Sequence, residues 1–211
     1  MSNRGKFIVF EGCDGCGKTT QTERLRASLA EATGKPCLYE REPDSRNIVG
    51  AIIRSALYGG VKISPDSMAY LHVADRLEHI DHVTPILESG ASIICDRYYL
   101  SNMAYNSTDR LSMEDVYELN RPCFETLPAD LFVFLDVPPE VTRARRAKDR
   151  SDTEIYDADE RQIRIRENYH RAIEFLRQKG ETVIVIDATR DMDTVSDDIR
   201  RRVFEALGIS E

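Results

Sequence analysis

The stretch Gly12-Cys-Asp-Gly-Cys-Gly-Lys-Thr19 fits the pattern G-x-x-x-x-G-K-[ST] at every fixed position. Its glycines allow the backbone to curl tightly, so that successive N–H groups point into one concavity. A helix that begins directly after such a loop adds the positive end of its dipole to the same place. Lys18 can then reach terminal phosphates, and the Thr19 hydroxyl can ligate the Mg²⁺ that accompanies them. The stretch therefore predicts a site for a nucleoside triphosphate.

The residues on both sides of the loop support this interpretation. Residues 6–11 form a short apolar run, which is typical of a strand buried in a parallel sheet. After the loop, Leu25 and Leu29 are spaced as on one face of a helix. A strand, a glycine loop and a helix, in this order, form the context in which the motif binds phosphate.

Apolar runs and helical patterns alternate along the whole chain. Strands are predicted at 6–11, 36–40, 91–95, 130–136 and 182–187. Helices are predicted at about 18–32, 46–58, 66–89, 112–120, 139–148, 158–179 and 192–207. The alternation predicts an α/β fold of the P-loop NTPase type, in which a five-stranded, mostly parallel sheet is flanked by helices in three layers. We expect one domain over 1–211, with a polar segment at about 143–160 that forms a lid rather than a solvated hairpin.

Composition and charge exclude several classes of protein. The chain has 211 residues, of which 41% are hydrophobic and 31% charged, as in an ordinary globular domain. Its net charge of −8 argues against a nucleic-acid binder, because such proteins usually present a basic face. No apolar run approaches the roughly 20 residues needed to span a bilayer, and the N-terminus lacks the apolar stretch of a signal peptide. A soluble cytoplasmic protein without membrane partners is expected, and a nuclear location stays open.

The cysteines suggest a reducing compartment. There are five of them, an odd number without a paired framework. Cys13 and Cys16 form a C-x-x-C pair inside the glycine loop, but no second pair completes a zinc site. We interpret both as small residues that fill loop positions.

A second group of polar residues follows the third predicted strand. Asp96-Arg97-Tyr98 ends that strand and is followed by Ser101, Asn102, Ala104 and Tyr105. In an open α/β sheet, ligands bind beyond the carboxyl ends of the strands, so a phosphoryl acceptor is expected here. Asp96 could hold hydrated Mg²⁺, and Arg97 could clamp a phosphate with its two-pronged guanidinium. The alternative is an Asp–Arg ion pair that caps the next helix.

The ordered set of motifs resembles the thymidylate kinase family, whose members phosphorylate dTMP to dTDP. The motifs that carry the resemblance are Phe10 to Gln21, Arg41-Glu-Pro43, Leu71-His-Val-Ala-Asp-Arg76, Asp96-Arg-Tyr-Tyr-Leu-Ser-Asn-Met-Ala-Tyr105, 127–131, 135–140 and 186–189. They span nearly the whole chain. The resemblance implies phosphoryl transfer from ATP with Mg²⁺, by an enzyme that is usually a homodimer.

The resemblance also implies which residues bind each nucleotide. ATP would be held by Gly12, Cys13, Asp14, Gly15, Cys16, Gly17, Lys18, Thr19 and Thr20, and Mg²⁺ by Thr19 and Asp96. The acceptor dTMP would contact Asp14, Glu42, Pro43, His72, Arg76, Arg97, Ser101, Asn102, Tyr105 and Tyr169. A bulky Tyr105 beside the sugar would disfavour a ribose hydroxyl sterically.

Catalysis is expected from Lys18, Arg97 and Asp14, together with an arginine of the lid. Gly15 stands where one class within the family carries a catalytic arginine in the loop, so this chain resembles the class that supplies the arginine from the lid. The candidates for that role are Arg150 and Arg146, with Arg143 in support.

Three features depart from the family pattern or remain ambiguous. His72 stands where the family usually has a phenylalanine stacked on thymine, which suggests either a pocket with pH-dependent affinity near neutrality or a histidine on the helix surface. Arg46 lies in a segment where relatives often have Gly-Gly-Thr and could supply a missing phosphate contact. His79 and His82 are interpreted as part of a solvated or interface face of the third predicted helix.

Two other functions stay open at this stage. A different nucleoside monophosphate kinase or deoxynucleoside kinase would share the loop and the scaffold, and His72 favours that alternative. A regulator that holds ATP or GTP without transferring phosphate is the second alternative, and the set of Lys18, Asp96 and Arg97 argues against it.

Overall fold

Residues 4–149 and 159–210 are described by a computed structural model, without the side chains of 146–149 and 159. The strands are β1 (Phe7–Glu11), β2 (Cys37–Arg41), β3 (Ser92–Asp96), β4 (Leu131–Asp136) and β5 (Val183–Asp187). They form one sheet in the order β2-β3-β1-β4-β5, and every pairing is parallel. The predicted α/β fold and its five strands are therefore confirmed, with each strand end shifted by at most one residue.

The helices of the described residues flank this sheet. They are α1 (Lys18–Thr33), α2 (Ile48–Leu57), α3 (Pro65–Glu88), α4 (Tyr99–Asn106), α5 (Met113–Leu119), α6 (Arg121–Thr126), α7 (Pro139–Asp149), α8 (Asp159–Gln178) and α9 (Met192–Leu207). The sequence pattern does not predict α4 or α6. Helix α4 is buried at all but one position and so has no polar face, and α6 is shorter than two turns. None of the helices in this part of the chain is long and apolar enough to cross a membrane.

The two faces of the sheet build two separate cores. In β1, Phe7 and Val9 point into one core, and Ile8 and Phe10 point into the other, because side chains alternate along a strand. The first core is completed by α3, α4, α5 and α8, and the second by α1 and α9. Burial on both faces explains why β1, β3 and β4 read as nearly continuous apolar runs.

The parallel order brings three loops together at one edge of the sheet. Asp96, the last residue of β3, pairs in register with Phe10 of β1 and Arg41 of β2. The loops that follow these three strands therefore begin side by side. Each of them carries residues that the sequence analysis assigns to a nucleotide.

Candidate active site

The loop between β1 and α1 adopts the backbone conformation that its glycines allow. Gly17 caps the N-terminus of α1 with φ 100°, and Gly12 has φ 147°. A Cβ at Gly12 would lie 2.7 Å from the Cys16 Sγ and 2.9 Å from the Leu135 carbonyl oxygen. No larger residue fits there without displacing backbone, so the tight loop depends on glycine at this position.

A cleft with about 1250 Å³ of free space opens at the N-terminus of α1. Seven of the nine residues expected to bind ATP line it, namely the continuous run 14–20. Gly12 and Cys13, at the start of the loop, are buried and are not part of this lining. The cleft also includes Arg41, Arg145 and Arg190, which were not assigned to ATP from the sequence.

Lys18 and Asp96 lie together at the floor of this cleft. Lys18 Nζ donates a hydrogen bond to the Gly12 carbonyl oxygen at 2.9 Å and lies 3.8 Å from Asp96 Oδ1. That carboxylate oxygen is buried and accepts no hydrogen bond from the described residues. A buried acceptor without a donor suits a hydrated cation, and the exposed Thr19 hydroxyl lines the same cleft. The predicted pair Thr19 and Asp96 therefore fits Mg²⁺.

A second cleft, with about 620 Å³ of free space, adjoins the first. Eight of the ten residues expected to contact dTMP line it, all except Arg76 and Tyr169. Asp14 and Arg41 line both clefts and so mark their junction. Sequence reasoning missed other lining residues, which are Arg41, Arg54, Leu57, Tyr58 and Asn106. Of these, Arg41 could have been found, because it is a charged residue at the carboxyl end of a predicted strand.

The Arg97 side chain makes four polar contacts at this junction. Its backbone lies in the left-handed region, with φ 77°, which is rare for a residue with a side chain and concentrates at functional sites. The guanidinium donates to Asp14 Oδ1 at 2.7 Å, to the Ser101 Oγ and Tyr169 hydroxyls at 3.1 Å each, and to the Tyr105 hydroxyl at 3.3 Å. Only 13% of this side chain is exposed. Arg97 is thus held in one orientation at the wall of the second cleft.

Asp14 is kept ionised by its neighbours. Burial alone raises its pKa, but the charges of Arg97 and Lys18 outweigh burial and lower the pKa to about 2. A permanent carboxylate between two cations does not attract a phosphate itself. Its Oδ1 accepts a hydrogen bond from Arg97 and so helps to hold that guanidinium in place.

Arg76 and Tyr169 lie behind the second cleft rather than in its wall. Arg76 is 1% exposed, and its Nη2 lies 2.7 Å from Glu42 Oε2 while it also donates to Asn120. Tyr169 is fully buried, and its hydroxyl accepts a hydrogen bond from Arg97. The contacts of both residues with dTMP stay predictions, and in this structure each contacts a lining residue of the cleft, Glu42 for Arg76 and Arg97 for Tyr169.

The structure describes only some of the arginines that are expected to act from the lid. Among the described residues, Arg143 is exposed on α7 and does not belong to the lining of either cleft. Arg145 does line the first cleft and donates to the Ala188 carbonyl oxygen at 2.9 Å. The side chain of Arg146, all of Arg150 and residues 150–158 of the predicted lid lie outside the described residues.

The loop after β2 is held by charged side chains. Asp75 of α3 is fully buried and accepts hydrogen bonds from the Asp44 backbone N–H and from Asn47 Nδ2 at 2.8 Å. Arg46 pairs with Asp44, at 2.9 Å, and with Glu40. The idea that Arg46 replaces a phosphate contact is therefore wrong in this structure, since Arg46 turns to these two carboxylates and lines neither cleft.

His72 lines the second cleft as a neutral ring. Burial lowers its pKa, and the positive charges of Arg76 and Arg97 lower it further, to about 3. The interpretation of His72 as a pocket residue is supported, but the pH-dependent affinity and the position on the helix surface need correction. His72 is a pocket residue rather than a surface residue, and its ring does not titrate near neutrality.

We expect the KM for dTMP to follow the same pH profile between pH 5.5 and 8 in the wild type and in His72→Phe. A ring that is neutral throughout this range takes up no proton that could alter binding. The measurement is initial-rate kinetics at saturating ATP across that range. A KM that rises below pH 7 in the wild type but not in the variant would contradict the prediction.

His79 is buried within α3, although its flanking charges suggested a solvated face. Its Nδ1 lies 3.0 Å from Glu42 Oε1 and its Nε2 lies 3.5 Å from Glu40 Oε2. Burial lowers the pKa of this ring, but its close contacts with both carboxylates and their charges outweigh burial and raise it to about 9. His79 is therefore an imidazolium that holds Glu42, a residue of the second cleft. His82, by contrast, is 47% exposed.

The free energy of unfolding should fall as the pH rises toward 9. The folded-state pKa of His79 lies above the unfolded value of about 6.5, so its stabilisation is complete below pH 6.5 and is lost as the pH rises through about 9. His79→Gln should cost about 3 kcal/mol at pH 6, because it leaves buried carboxylates short of a partner. Urea unfolding at pH 6 and 9.5 tests this, with His82→Gln as control. Equal pH dependence in both variants would refute it.

Comparison with known proteins identifies the family. Residues 10–199 match the family profile described as Thymidylate kinase. The thymidylate kinase of Thermomicrobium roseum is 38% identical over 205 residues, which cover 95% of each chain. That of Limosilactobacillus fermentum is 33% identical over 94% of each chain, and the probable thymidylate kinase of Pyrococcus abyssi is 35% identical over 98% of this chain and the whole of its own. This chain belongs to the thymidylate kinase family.

Proposed function

We propose that this protein transfers the γ-phosphoryl group of ATP to the phosphate of dTMP, which yields dTDP and ADP. The observation that carries the proposal is the meeting of two clefts at Asp14 and Arg41. One cleft begins at the N-terminus of α1, where phosphates bind, and the other has Arg97 in its wall. A triphosphate in the first cleft and a monophosphate in the second would approach each other end to end.

The donor side is built to hold negative charge. The backbone N–H groups of residues 14–20 and the positive end of α1 would bind the β- and γ-phosphates, and Lys18 would stay close to the transferring group. Mg²⁺ bound by Thr19 and Asp96 would supply further charge neutralisation at the phosphate oxygens. Phosphoryl transfer depends mainly on such alignment and charge, so these groups account for most of the expected catalysis.

The acceptor side combines cationic and apolar surfaces. Arg97, fixed by Asp14 and its other partners, would grip the dTMP phosphate with its two-pronged guanidinium. Pro43, Leu57 and Tyr58 form an apolar part of the wall that suits a pyrimidine ring. This division of the cleft favours a small monophosphate over a free nucleoside, which would bring no phosphate to Arg97.

The reaction asks for no general base. A phosphate monoester has a second pKa near 6, so the dTMP phosphate is largely a dianion at neutral pH and is already a nucleophile. One of its oxygens forms a bond to the γ-phosphorus as the bond to the β,γ-bridging oxygen breaks, and ADP leaves. The side chains of this site therefore align and stabilise rather than move protons.

An acceptor screen tests the proposal. ADP formation from ATP and Mg²⁺ is measured with dTMP, dUMP, dCMP, ribothymidine monophosphate, AMP and thymidine. We expect dTMP to have the highest kcat/KM, and thymidine to be inert because it offers no phosphate to Arg97. Preference for another monophosphate would point to a different nucleotide kinase of the same fold, and no turnover with any acceptor would favour a nucleotide-binding regulator.

We further propose that two copies of the chain associate in the cytoplasm through the outer faces of α2 and α3. Large apolar side chains are exposed there, with Ile48 76% and Tyr70 54% exposed. All five cysteines are free and buried, which suits a reducing compartment. Sedimentation equilibrium should give twice the chain mass, and Tyr70→Glu should lower it. A monomeric wild type would contradict the proposed association of two copies.

A further inference from the structure

Glu11, the last residue of β1, has no role in the function proposed above. It is fully buried, and its carboxylate is surrounded by donors. Oε1 accepts hydrogen bonds from the backbone N–H groups of Tyr98 at 2.9 Å and Ser101 at 3.1 Å. Oε2 accepts from the Ser101 hydroxyl and, at 3.2 Å, from the Tyr169 hydroxyl. A buried carboxylate is costly, so four converging donors call for an explanation.

The two backbone contacts fix the chain directly after Arg97. Tyr98 is the N-cap of α4, and its own side chain makes no capping hydrogen bond. Glu11, which lies on a neighbouring strand, caps the helix instead, because it accepts hydrogen bonds from the backbone N–H groups of Tyr98 and Ser101. Arg97 directly precedes this cap with φ 77°, a conformation that persists only where the surroundings determine it. Glu11 is one of the groups that determine it.

The two hydroxyl contacts fix the guanidinium of Arg97. Arg97 Nη1 donates to Ser101 Oγ and to the Tyr169 hydroxyl at 3.1 Å each. A hydroxyl has a single proton, and both of these protons are directed to Glu11, so the lone pairs must face Arg97. The two hydroxyl oxygens lie 2.8 Å apart. Without the carboxylate, one hydroxyl would donate to the other, and the accepting oxygen would have one lone pair fewer for Arg97.

We propose that Glu11 is a positioning residue, which aims Arg97 at the acceptor phosphate through the cap of α4 and through the Ser101 and Tyr169 hydroxyls. The inference rests on the proposed function, in which Arg97 grips that phosphate. In the described contacts, all four donors to Glu11 belong to the segment after β3 or to α8, and none belongs to the loop that would hold ATP. The effect of Glu11 should therefore fall on the acceptor and not on the donor.

The test is Glu11→Gln, with Glu181→Gln as the matched control. A glutamine amide keeps the shape, but its NH₂ group must face either the two backbone N–H groups or the two hydroxyls. We expect kcat/KM for dTMP to fall about 10- to 100-fold while the KM for ATP stays within about twofold. Glu181 also accepts from a tyrosine hydroxyl, that of Tyr99 at 2.8 Å, but it contacts none of the groups that hold Arg97. Glu181→Gln should leave both values unchanged.

The double variant Ser101→Ala/Tyr169→Phe keeps the proposal testable if Glu11→Gln folds poorly. It removes both hydroxyl links and should lower kcat/KM for dTMP in the same selective way. Glu11→Gln should lower kcat/KM for dTMP by a smaller factor in this double variant than in the wild type, because the hydroxyl contacts between Glu11 and Arg97 are already absent. Equal losses for dTMP and ATP, or wild-type kinetics in Glu11→Gln, would overturn the inference.

Arg97→Ala separates this inference from the function on which it rests. If Arg97→Ala leaves the KM for dTMP unchanged, the proposed grip on the acceptor phosphate is wrong. If Arg97→Ala raises that KM and Glu11→Gln behaves like Glu181→Gln, the grip stands and only the role of Glu11 is wrong.

Discussion

Lys18→Ala should lower kcat by about 100- to 1000-fold or more, with a smaller change in the KM for dTMP. Lys18 is 7% exposed at the floor of the first cleft, where its Nζ lies close to both the glycine loop and Asp96. A fixed cation there stabilises charge that develops on the γ-phosphoryl group during transfer. Loss of one such electrostatic group typically costs about 3–4 kcal/mol of transition-state stabilisation. Single-turnover kinetics with saturating ATP and dTMP would measure this loss directly.

The control for this variant is Lys62→Ala, which removes an equal charge from an exposed position outside both clefts. Its kcat should match the wild type, because an exposed distant charge is screened. Thermal unfolding of both variants checks that the fold is intact. Normal turnover by a folded Lys18→Ala enzyme would show that the glycine loop does not contribute to catalysis.

The glycine loop and the strands could be predicted because the signals that specify them are local. The loop needs glycine where φ is positive, as at Gly12 and Gly17, and that requirement is written directly in the residue types. The strands β1, β3 and β4 are buried on both faces, so their apolar runs stand out from the charged helices between them. Because the strands are parallel, the carboxyl ends of β1, β2 and β3 are then expected at the same edge of the sheet.

The buried charges of α3 could not be predicted in the same way. His79, Asp75 and Arg76 stand among exposed acidic residues in the sequence, and the charged pattern of this helix does not reveal which face turns inward. Their partners, Glu42 and the backbone of Asp44, belong to a different loop. Only the packed structure brings a carboxylate beside each cation and so makes burial of these residues tolerable.

The junction of the two clefts also depends on tertiary arrangement. The place of Arg41 at the end of a predicted strand marks it as a candidate, but it lines both clefts only because β2 lies beside β3 and ends level with Asp96. Arg145 likewise reaches the first cleft only because α7 crosses near the segment after β5. Contacts between elements far apart in the chain leave no pattern in a single sequence.

Arg97→Ala should raise the KM for dTMP at least about tenfold and lower kcat about 100- to 1000-fold, while the KM for ATP changes little. The guanidinium serves both as the proposed grip on the acceptor phosphate and as the main partner of Asp14, 2.7 Å away. Its loss removes charge-assisted hydrogen bonds at a buried site and lets an acceptor drift out of line with the donor. Initial rates over a matrix of ATP and dTMP concentrations separate these effects.

Arg97→Lys distinguishes the shape of the guanidinium from its charge. A lysine keeps the charge, but its single ammonium cannot contact Asp14, Ser101 and Tyr169 in the directions that Arg97 uses. The kcat of Arg97→Lys should therefore exceed the kcat of Arg97→Ala by less than about tenfold. Arg110→Ala is the control, since that side chain is 78% exposed and pairs with Asp66 outside both clefts. Full activity in Arg97→Lys would mean that charge alone suffices, and that the contacts which hold this residue do not contribute to catalysis.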